Sequence, residues 1–484
     1  MRLSELLEAS LGVRPPGRED PEITSVVQRH DRVRPGALFV ARRGGRFDAH
    51  AFMEEAVAAG AVAVVGEVEI PSPLPWRGAP YVRVRDAREA LPLLAAAFHG
   101  RPGESLTVLG VTGTDGKTTT ATILHHLVSA RAPAALISTA GIVLGAERVP
   151  LEGHFTTPEA TEVQALLARC RDEGLRDVVL ESSSHGFSLH RLDAIPYAVG
   201  VWTNLSPEHL DHHGDLHGYR EAKATLFRRA LVSVLNRDEP DFAFFAAAAR
   251  RVVSYGEHAA ADVRLEALES SPAGLTFAVV AGGERIPVEL PVPGRFNAWN
   301  ALAALTAARE IGLPLALTGP RLADFPGVPG RMQPVQRQPF AVIVDFAHTP
   351  PALAKALEAV APDPPGRLLV VIGSAGERDH GKRAPLGEVA ARHAHRAFFT
   401  EEDARSEDPH AILASMAEGA RRAGAREGEG YTLVPDRREA IRRALGEARP
   451  GDVVLLAGKG HETSLERADE TLPWDEVAEA RRWL

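Results

Sequence analysis

Sulfur and lysine are both scarce in this chain. Cys170 is the single cysteine among 484 residues, so an internal disulfide framework is excluded and a cysteine-built zinc cage is not available. No apolar run reaches the ~18 residues that a membrane-spanning helix needs. Positive charge is not in excess: the net charge is -9 and the pI about 6.1, which argues against nucleic acid as a main partner. Residues 1–11 carry acids and lack the basic stretch and apolar core of a secretion signal, so a cytoplasmic location is expected. Hydrophobic content of 45% with 25% charged residues excludes wholesale disorder, and the length suits two to four domains.

Of the 55 basic residues only five are lysine: Lys117, Lys223, Lys355, Lys382 and Lys459. Compositional bias accounts for the abundance of arginine, and it makes each lysine informative. Where arginine is the default cation, a lysine marks a place that needs a compact or deprotonable amine. Four of the five fall in or near glycine-rich or histidine- and acid-rich stretches, and only Lys355 sits in an ordinary helical pattern.

The pattern predicts an α/β protein. Residues 37–41, 61–66 and 81–84 read as strands and residues 49–60 and 87–99 as helices, with a Pro/Gly linker at 101–104. A β-run over 106–111 enters a glycine loop and a helix from Thr118. Strands at 177–180 and 198–202 each end in polar residues. Residues 241–249 read as an alanine-rich helix, 288–293 as a strand and 298–311 as a helix. A Pro/Gly cluster at 325–331 marks a second boundary. Beyond it strands (341–346, 368–372, 397–400, 453–456) alternate with helices (353–360, 385–393, 411–422, 437–447), which argues for a doubly wound sheet.

Gly110-Val111-Thr112-Gly113-Thr114-Asp115-Gly116-Lys117-Thr118-Thr119 lies between that strand and helix. Glycines let backbone N–H groups approach phosphate oxygens, and the helix N-terminus adds a positive dipole. Lys117 can reach the β- and γ-phosphates and Thr118 can hold Mg²⁺. The spacing is one residue longer than the strict G-x-x-x-x-G-K-[ST] pattern. Nucleotide binding is expected, but the loop alone does not say what it drives.

Glu181, in Glu181-Ser182-Ser183-Ser184-His185, and His209, in the run from Thr203 to Gly214, sit past strand ends, where open α/β sheets bind ligands. Both could meet a Mg²⁺–nucleotide held at Thr118. Zinc competes as a reading because His209, His212, His213 and His217 are close in sequence, but no cysteine supports it; His212 and His217 read as solvated. Lys223 lies ten residues past His213 in a helical stretch. An amine that sheds its proton reacts with CO₂ to give a carbamate, a carboxylate-like metal ligand that arginine cannot become.

These pieces, with Thr156-Thr157-Pro158-Glu159, Phe296-Asn297 and Asn300, Val328-Pro329-Gly330-Arg331, residues 344–350 around Asp345 and Ala457-Gly458-Lys459-Gly460-His461-Glu462-Thr463, resemble the Mur ligase family over nearly the whole chain. Within that family the resemblance is to the UDP-N-acetylmuramoyl-tripeptide synthetases. It implies three domains: a UDP-binding domain over 1–98, a central P-loop ATPase domain over 99–329 and a C-terminal Rossmann-like, amino-acid-binding domain over 330–484. It implies a monomeric ADP-forming ligase of peptidoglycan precursor synthesis, acting on UDP-MurNAc-L-Ala-D-Glu and a free amino acid through an acyl phosphate. It assigns Lys117, Glu181, His209 and carbamylated Lys223 to catalysis. Magnesium falls to Thr118, Glu181, His209 and Lys223. ATP falls to Gly113, Thr114, Asp115, Gly116, Lys117, Thr118, Thr119, Asn300, Arg331 and Asp345. Thr156, Thr157 and Ser184 match muramoyl-peptide positions, and Arg378, Asp403, Arg405, Gly458 and Glu462 match the pocket for the incoming amino acid.

Two departures stand out. Arg29-His30-Asp31 replaces the family's Asp-Ser-Arg before the turn Val33-Arg34-Pro35-Gly36, which alters the uridine contact or the substrate. Glu402-Asp403-Ala404-Arg405 replaces the Asp-Asn-Pro-Arg of diaminopimelate-adding members: the arginine stays, but the extra acid favours a side-chain ammonium. L-ornithine and L-lysine therefore stand beside meso-diaminopimelate. The run 401–408 also reads as a solvated acidic loop. A folylpolyglutamate-type ligase with another carboxylate substrate and a non-catalytic regulatory homologue remain as alternatives. Residues 1–98 argue against the first, and intact Lys117, Glu181, His209 and Lys223 against the second.

Overall fold

Strand-forming runs in this chain are short, apolar and mostly buried along their whole length, the pattern of parallel strands covered on both faces. The computed structural model describes residues 1–15, 19–44, 47–70, 74, 76, 78–149, 156–271, 273–361 and 366–484. They divide into two compact units, one of residues 1–261 and 303–313, the other of residues 262–302 and 314–484.

The first unit holds a four-stranded parallel sheet ordered Ser25–Val27, Ala37–Val40, Ala61–Gly66, Tyr81–Arg83. Leu3, Leu6 and Leu7 of the helix Leu3–Leu11 pack on it together with Leu91 and Leu94 of the helix Ala87–Phe98. Asp86 starts the latter helix by accepting from the N–H groups of Arg88 and Glu89. The expected linker at 101–104 is instead a 3₁₀ turn, Pro102–Ser105, with Pro102 and Gly103 buried.

The second sheet of this unit runs Val252–Gly256, Val232–Asn236, Val199–Trp202, Thr107–Thr112, Asp177–Glu181, Ala135–Ser138, Gly141–Leu144, Glu147–Val149. The first six strands are parallel and the last two are added as antiparallel hairpins. Register decides what meets at its edge: Thr112 is opposite Trp202 and Val111 is opposite Glu181. The glycine loop, Thr203 and Glu181 therefore leave the sheet side by side. Cys170 is buried on the helix Ala160–Asp172.

In the second unit, Val263–Ser271, Gly274–Ala281 and Glu284–Leu290 form an antiparallel meander. The strand expected at 288–293 begins earlier and ends at Leu290. Pro291 and Pro293 have no N–H to continue a ladder, while Pro287 is tolerated because its strand lies at the sheet edge. The C-terminal sheet runs Gln333–Gln336, Ala341–Asp345, Val453–Ala457, Leu368–Ile372, Arg396–Phe399, Tyr431–Leu433, parallel apart from the first strand. The helices Pro350–Ala359, Arg383–His393, Pro409–Arg422 and Arg437–Glu447 alternate with these strands, as the sequence pattern predicts.

Candidate functional site

The loop after Thr107–Thr112 is held by its neighbours rather than by its own side chains. Thr203 Oγ1 donates to the Asp115 carbonyl at 2.6 Å, and Asn204 Oδ1 accepts from Asp115 N–H at 2.9 Å. Gly113 has φ 153°, and a Cβ there would come within 1.9 Å of Thr203 Oγ1, so only glycine fits. Lys117 opens the helix Lys117–Val128, and its Nζ donates to the Thr114 carbonyl at 2.6 Å. Thr114 pairs with the Ser206 carbonyl and the Tyr219 hydroxyl, and Gly116 caps the helix in a left-handed conformation. Thr118 and Thr119 follow, both buried.

Thr118 Oγ1 donates to Glu181 Oε1 at 3.0 Å, while Glu181 Oε2 accepts from the N–H and hydroxyl of Thr139 at 2.9 and 3.1 Å. Sequence reading missed Thr139. The signal was available, because it stands directly past the strand Ala135–Ser138, which neighbours the strand ending in Glu181. The hydroxyl of Thr112, the last residue of the central strand, is buried and has no hydrogen-bond partner among the described residues.

Lys223 lies on the helix Leu216–Arg229, which starts where Asp215 accepts from Gly218 N–H. The side chain runs inward, 1% exposed, and its Nζ donates to the Gly113 carbonyl at 2.5 Å and sits 4.3 Å from the centre of the Tyr219 ring. Burial, reinforced by the Lys117 charge, pulls its pKa well below the ordinary lysine value. His209 occupies the left-handed region at φ 56°, a strained conformation for this residue type. Burial lowers its pKa, against Glu208 and with the help of Lys117 and Lys223.

Thr157 Oγ1 bonds the Glu181 carbonyl at 3.1 Å and lies 2.9 Å from Ser183 Oγ; Thr156 is half-buried beside it. Ser184 is buried, with its Oγ 3.1 Å from His213 Nε2. His212 is exposed and pairs with Ser188 Oγ at 2.9 Å, and His217 is exposed with its ring edge to Phe244. At the first departure from the family pattern, Arg29 is tied to Asp31 by two hydrogen bonds, and His30 stacks on Phe52 with ring centres 4.2 Å apart.

In the second unit, Asn300 Nδ2 donates to Asn297 Oδ1 at 2.9 Å on the helix Phe296–Glu310. Asp345 accepts from Met332 N–H at 2.7 Å and Ala347 N–H at 2.8 Å; burial raises its pKa despite the nearby Arg331. The Arg331 guanidinium lies 4.5 Å from the Phe346 ring centre, and its Nε is buried without a partner.

The acidic run 401–408 is not a solvated loop: Glu401, Glu402 and Asp403 are all buried. Asp403 Oδ1 accepts from Lys459 Nζ and from Glu466 N–H, both at 2.9 Å. Lys459 is 0% exposed and also pairs with Glu462 at 2.7 Å. The expectation of an uncompensated carboxylate at Asp403 is therefore corrected, because the chain supplies its own ammonium. Glu402 takes that part instead. Its Oε2 is buried with no hydrogen-bond partner among the described residues, and a Cβ at Gly458 would come 3.2 Å from it. Burial raises the Glu462 carboxyl pKa, against Lys459. Arg405 donates to Glu466 at 2.8 Å and to the Gly376 carbonyl at 2.7 Å. Arg378 is exposed.

Three family models match the chain: "Mur ligase family, catalytic domain" over residues 29–99, "Mur ligase middle domain" over 111–308 and "Mur ligase, glutamate ligase domain" over 330–460. A UDP-N-acetylmuramyl-tripeptide synthetase of Deinococcus radiodurans is 48% identical over 496 residues, covering 100% of this chain and 99% of its own. A UDP-N-acetylmuramoyl-L-alanyl-D-glutamate–2,6-diaminopimelate ligase of Geobacillus thermodenitrificans is 39% identical, with 99% of each chain covered. Among solved structures, a UDP-N-acetylmuramoyl-L-alanyl-D-glutamate–2,6-diaminopimelate ligase superimposes with a TM-score of 0.72 at 30% identity, covering 100% of this chain and 99% of that one.

Proposed function

The chain belongs to the Mur ligase family, and from that membership we propose that it joins a diamino acid to the D-glutamate of UDP-MurNAc-L-Ala-D-Glu at the expense of ATP. The observation that carries this is the meeting of Lys117, Thr118, Glu181 and Lys223 around one phosphate loop, in a chain that aligns end to end with such ligases.

The reaction must bring a triphosphate to a carboxylate, two anions that repel. The D-glutamate γ-carboxylate oxygen attacks the γ-phosphorus, the bond to the bridging oxygen breaks and ADP leaves. An amine then attacks the acyl phosphate, loses its proton and expels inorganic phosphate. Lys117 at the helix start neutralises the γ-phosphate as charge moves onto ADP. Thr157, Ser184 and Thr156 orient the muramoyl peptide. Asn300, Arg331 and Asp345 serve the nucleotide. Thr118, Glu181, His209 and a carbamate on Lys223 would hold Mg²⁺, which supplies charge neutralisation between the two anions. The donor set fits: Thr118 and Glu181 offer hard oxygens, the unpartnered Thr112 hydroxyl lies at the same strand end, and the buried Lys223 amine is disposed to be uncharged. We place the domain boundaries at 1–98, 99–329 and 330–484, and the enzyme in the cytoplasm as a monomer.

For the incoming amino acid, Asp403 and Glu462 pair with the buried Lys459, Glu402 feels the charge of the buried Arg437, and Arg405 is already bonded to Glu466. An acid-rich pocket of this kind supports a side-chain ammonium, as in L-ornithine or L-lysine. Retention of Arg405 favours meso-diaminopimelate as the second reading. Phosphate release from ATP, with UDP-MurNAc-L-Ala-D-Glu and each of the three amino acids, tests both. Turnover with ornithine or lysine supports the proposal. Preference for diaminopimelate overturns the pocket reading, and no turnover with any overturns the ligase.

A further inference from the structure

The sequence places four histidines close together past one strand, but the fold selects a different set of three. His185 comes from the short helix Ser184–Ser188, and His212 and His213 come from the turn Leu210–His213. One ring nitrogen from each lies within 4.8 Å of the others. The His185 ring stacks on His212 with centres 4.2 Å apart and meets His213 edge-on at 5.4 Å. His217 is not part of this group.

We propose that His185, His212 and His213 form a binding site for a borderline divalent metal of the zinc class, and that filling it withdraws His213 from Ser184. Three imidazoles are the donor set such ions take with an open fourth position, and they suit Zn²⁺, Co²⁺ or Ni²⁺ far better than Mg²⁺. Around a zinc ion at ~2.0–2.1 Å, tetrahedral ligands stand roughly 3.4 Å apart. The present spacing closes to that by turning the exposed His212 side chain and the half-buried His185 and His213 on short segments. The site uses none of the oxygen donors Thr118 and Glu181, and it adjoins His209, whose ring centre is 4.7 Å from that of His185.

Coordination has a consequence for the neighbouring serines. Nε2 of His213 is 3.1 Å from Ser184 Oγ, and Nε2 of His212 is 2.9 Å from Ser188 Oγ. A nitrogen lone pair given to a metal no longer accepts from a hydroxyl. Coordination through Nε2 of His213 therefore frees Ser184 to rotate and places a cation beside it. Inhibition against the muramoyl peptide follows if Ser184 holds that substrate. This inhibitory half rests on the proposed ligase reading, and the binding half does not.

The test uses the full chain, stripped of metal by a chelator. Zn²⁺ is titrated calorimetrically and Co²⁺ by its visible absorption, in wild type, His212→Gln and His209→Gln. The expected result is one equivalent bound by wild type, affinity at least about tenfold weaker in His212→Gln, and affinity retained in His209→Gln. With Mg²⁺ in excess, Zn²⁺ raises the apparent KM for UDP-MurNAc-L-Ala-D-Glu but not for ATP, and His212→Gln keeps its Mg²⁺-supported activity and resists Zn²⁺. Absence of stoichiometric binding overturns the site, as does equal affinity in His212→Gln. Loss of binding in His209→Gln alone puts the ion at the magnesium donors and also overturns it. Binding without a change in KM overturns the inhibitory half. Failure of turnover with Mg²⁺ alone bears on the ligase and leaves the binding result standing.

Discussion

Replacing Lys223 by methionine separates its chemistry from its packing. Methionine keeps much of the length and volume of the side chain but removes the amine. The structural cost is set by one bond: the Gly113 carbonyl loses the donor it has at 2.5 Å in a buried place. A buried group left unpaired costs about 1–3 kcal/mol, and here part of that is returned because a desolvated amine is no longer buried. At about 2–4 °C per kcal/mol for a unit of this size, the melting midpoint falls by at most about 10 °C. Activity has more to lose. If the carbamate on Lys223 helps to hold charge between the phosphate and the carboxylate, kcat drops by roughly 10²–10³-fold, the scale of removing one electrostatic stabiliser.

Lys223→Arg sharpens the comparison. Arginine cannot shed its proton, so its charge is forced into a site whose burial already drives the lysine toward neutrality, at a cost of several kcal/mol. The arginine variant is therefore expected to be both inactive and less stable than the methionine variant. The assays are phosphate release and thermal unfolding, each run in CO₂-depleted buffer and again after bicarbonate is added. Wild type loses activity on depletion and regains it, while the methionine variant does not respond. A Lys223→Met enzyme within about tenfold of wild type, which is about 1.4 kcal/mol of barrier, refutes the carbamate role.

Lys117→Ala should lower ATP-dependent phosphate release by at least about 10²-fold while calorimetric binding of the muramoyl substrate persists, and retained turnover would remove the phosphate-loop assignment. His190 Nδ1–H donates to the Asp193 carboxylate at 2.7 Å, and that bond raises its pKa above the ordinary value. The folded state thus holds the proton more tightly, so the stabilisation is complete below the unfolded pKa of about 6.5 and is lost as pH rises through the folded value. His190→Asn, which tolerates the left-handed φ of 59°, should melt below wild type at pH 5.5 and approach it at alkaline pH; a gap that widens with pH contradicts the sign.

The central chemistry was legible because it is local. A strand, a glycine turn and a helix start are contiguous in sequence, and Gly113 to Thr119 could be read without any knowledge of distant contacts. Glu181 and Lys223 were legible for a weaker reason: each is an unusual residue at an informative place, a strand end and an arginine-dominated background. What escaped depends on neighbours that only the sheet order supplies. Thr139 bonds Glu181 across 42 positions, because Ala135–Ser138 and Asp177–Glu181 lie side by side. The meander over 263–290 escaped although its hairpins pair locally, because charged residues such as Glu266, Glu269 and Glu289, with Pro287, break up the strand pattern.

The run 401–405 shows how reading charge along a sequence can mislead. Five positions with three acids suggest solvent, or a free carboxylate awaiting a cationic ligand. In the fold Glu401 is bonded to Arg467, Asp403 to Lys459, and only Glu402 keeps an oxygen without a partner. The partners come from about 60 residues away in sequence, so no local count could have sorted the three acids. Lysine scarcity held the missing clue. Lys459 is the one lysine of the second unit that is fully buried, and its compact ammonium reaches both Asp403 and Glu462. A guanidinium in its place would present a wide planar fork to a site closed around a single point charge, so arginine does not substitute here despite its abundance. On the proposed ligase reading, Lys459 is then a positioning residue: it fixes Asp403 and Glu462, and the Glu402 oxygen that has no hydrogen-bond partner among the described residues, beside Gly458, is where we propose that a ligand's ammonium docks.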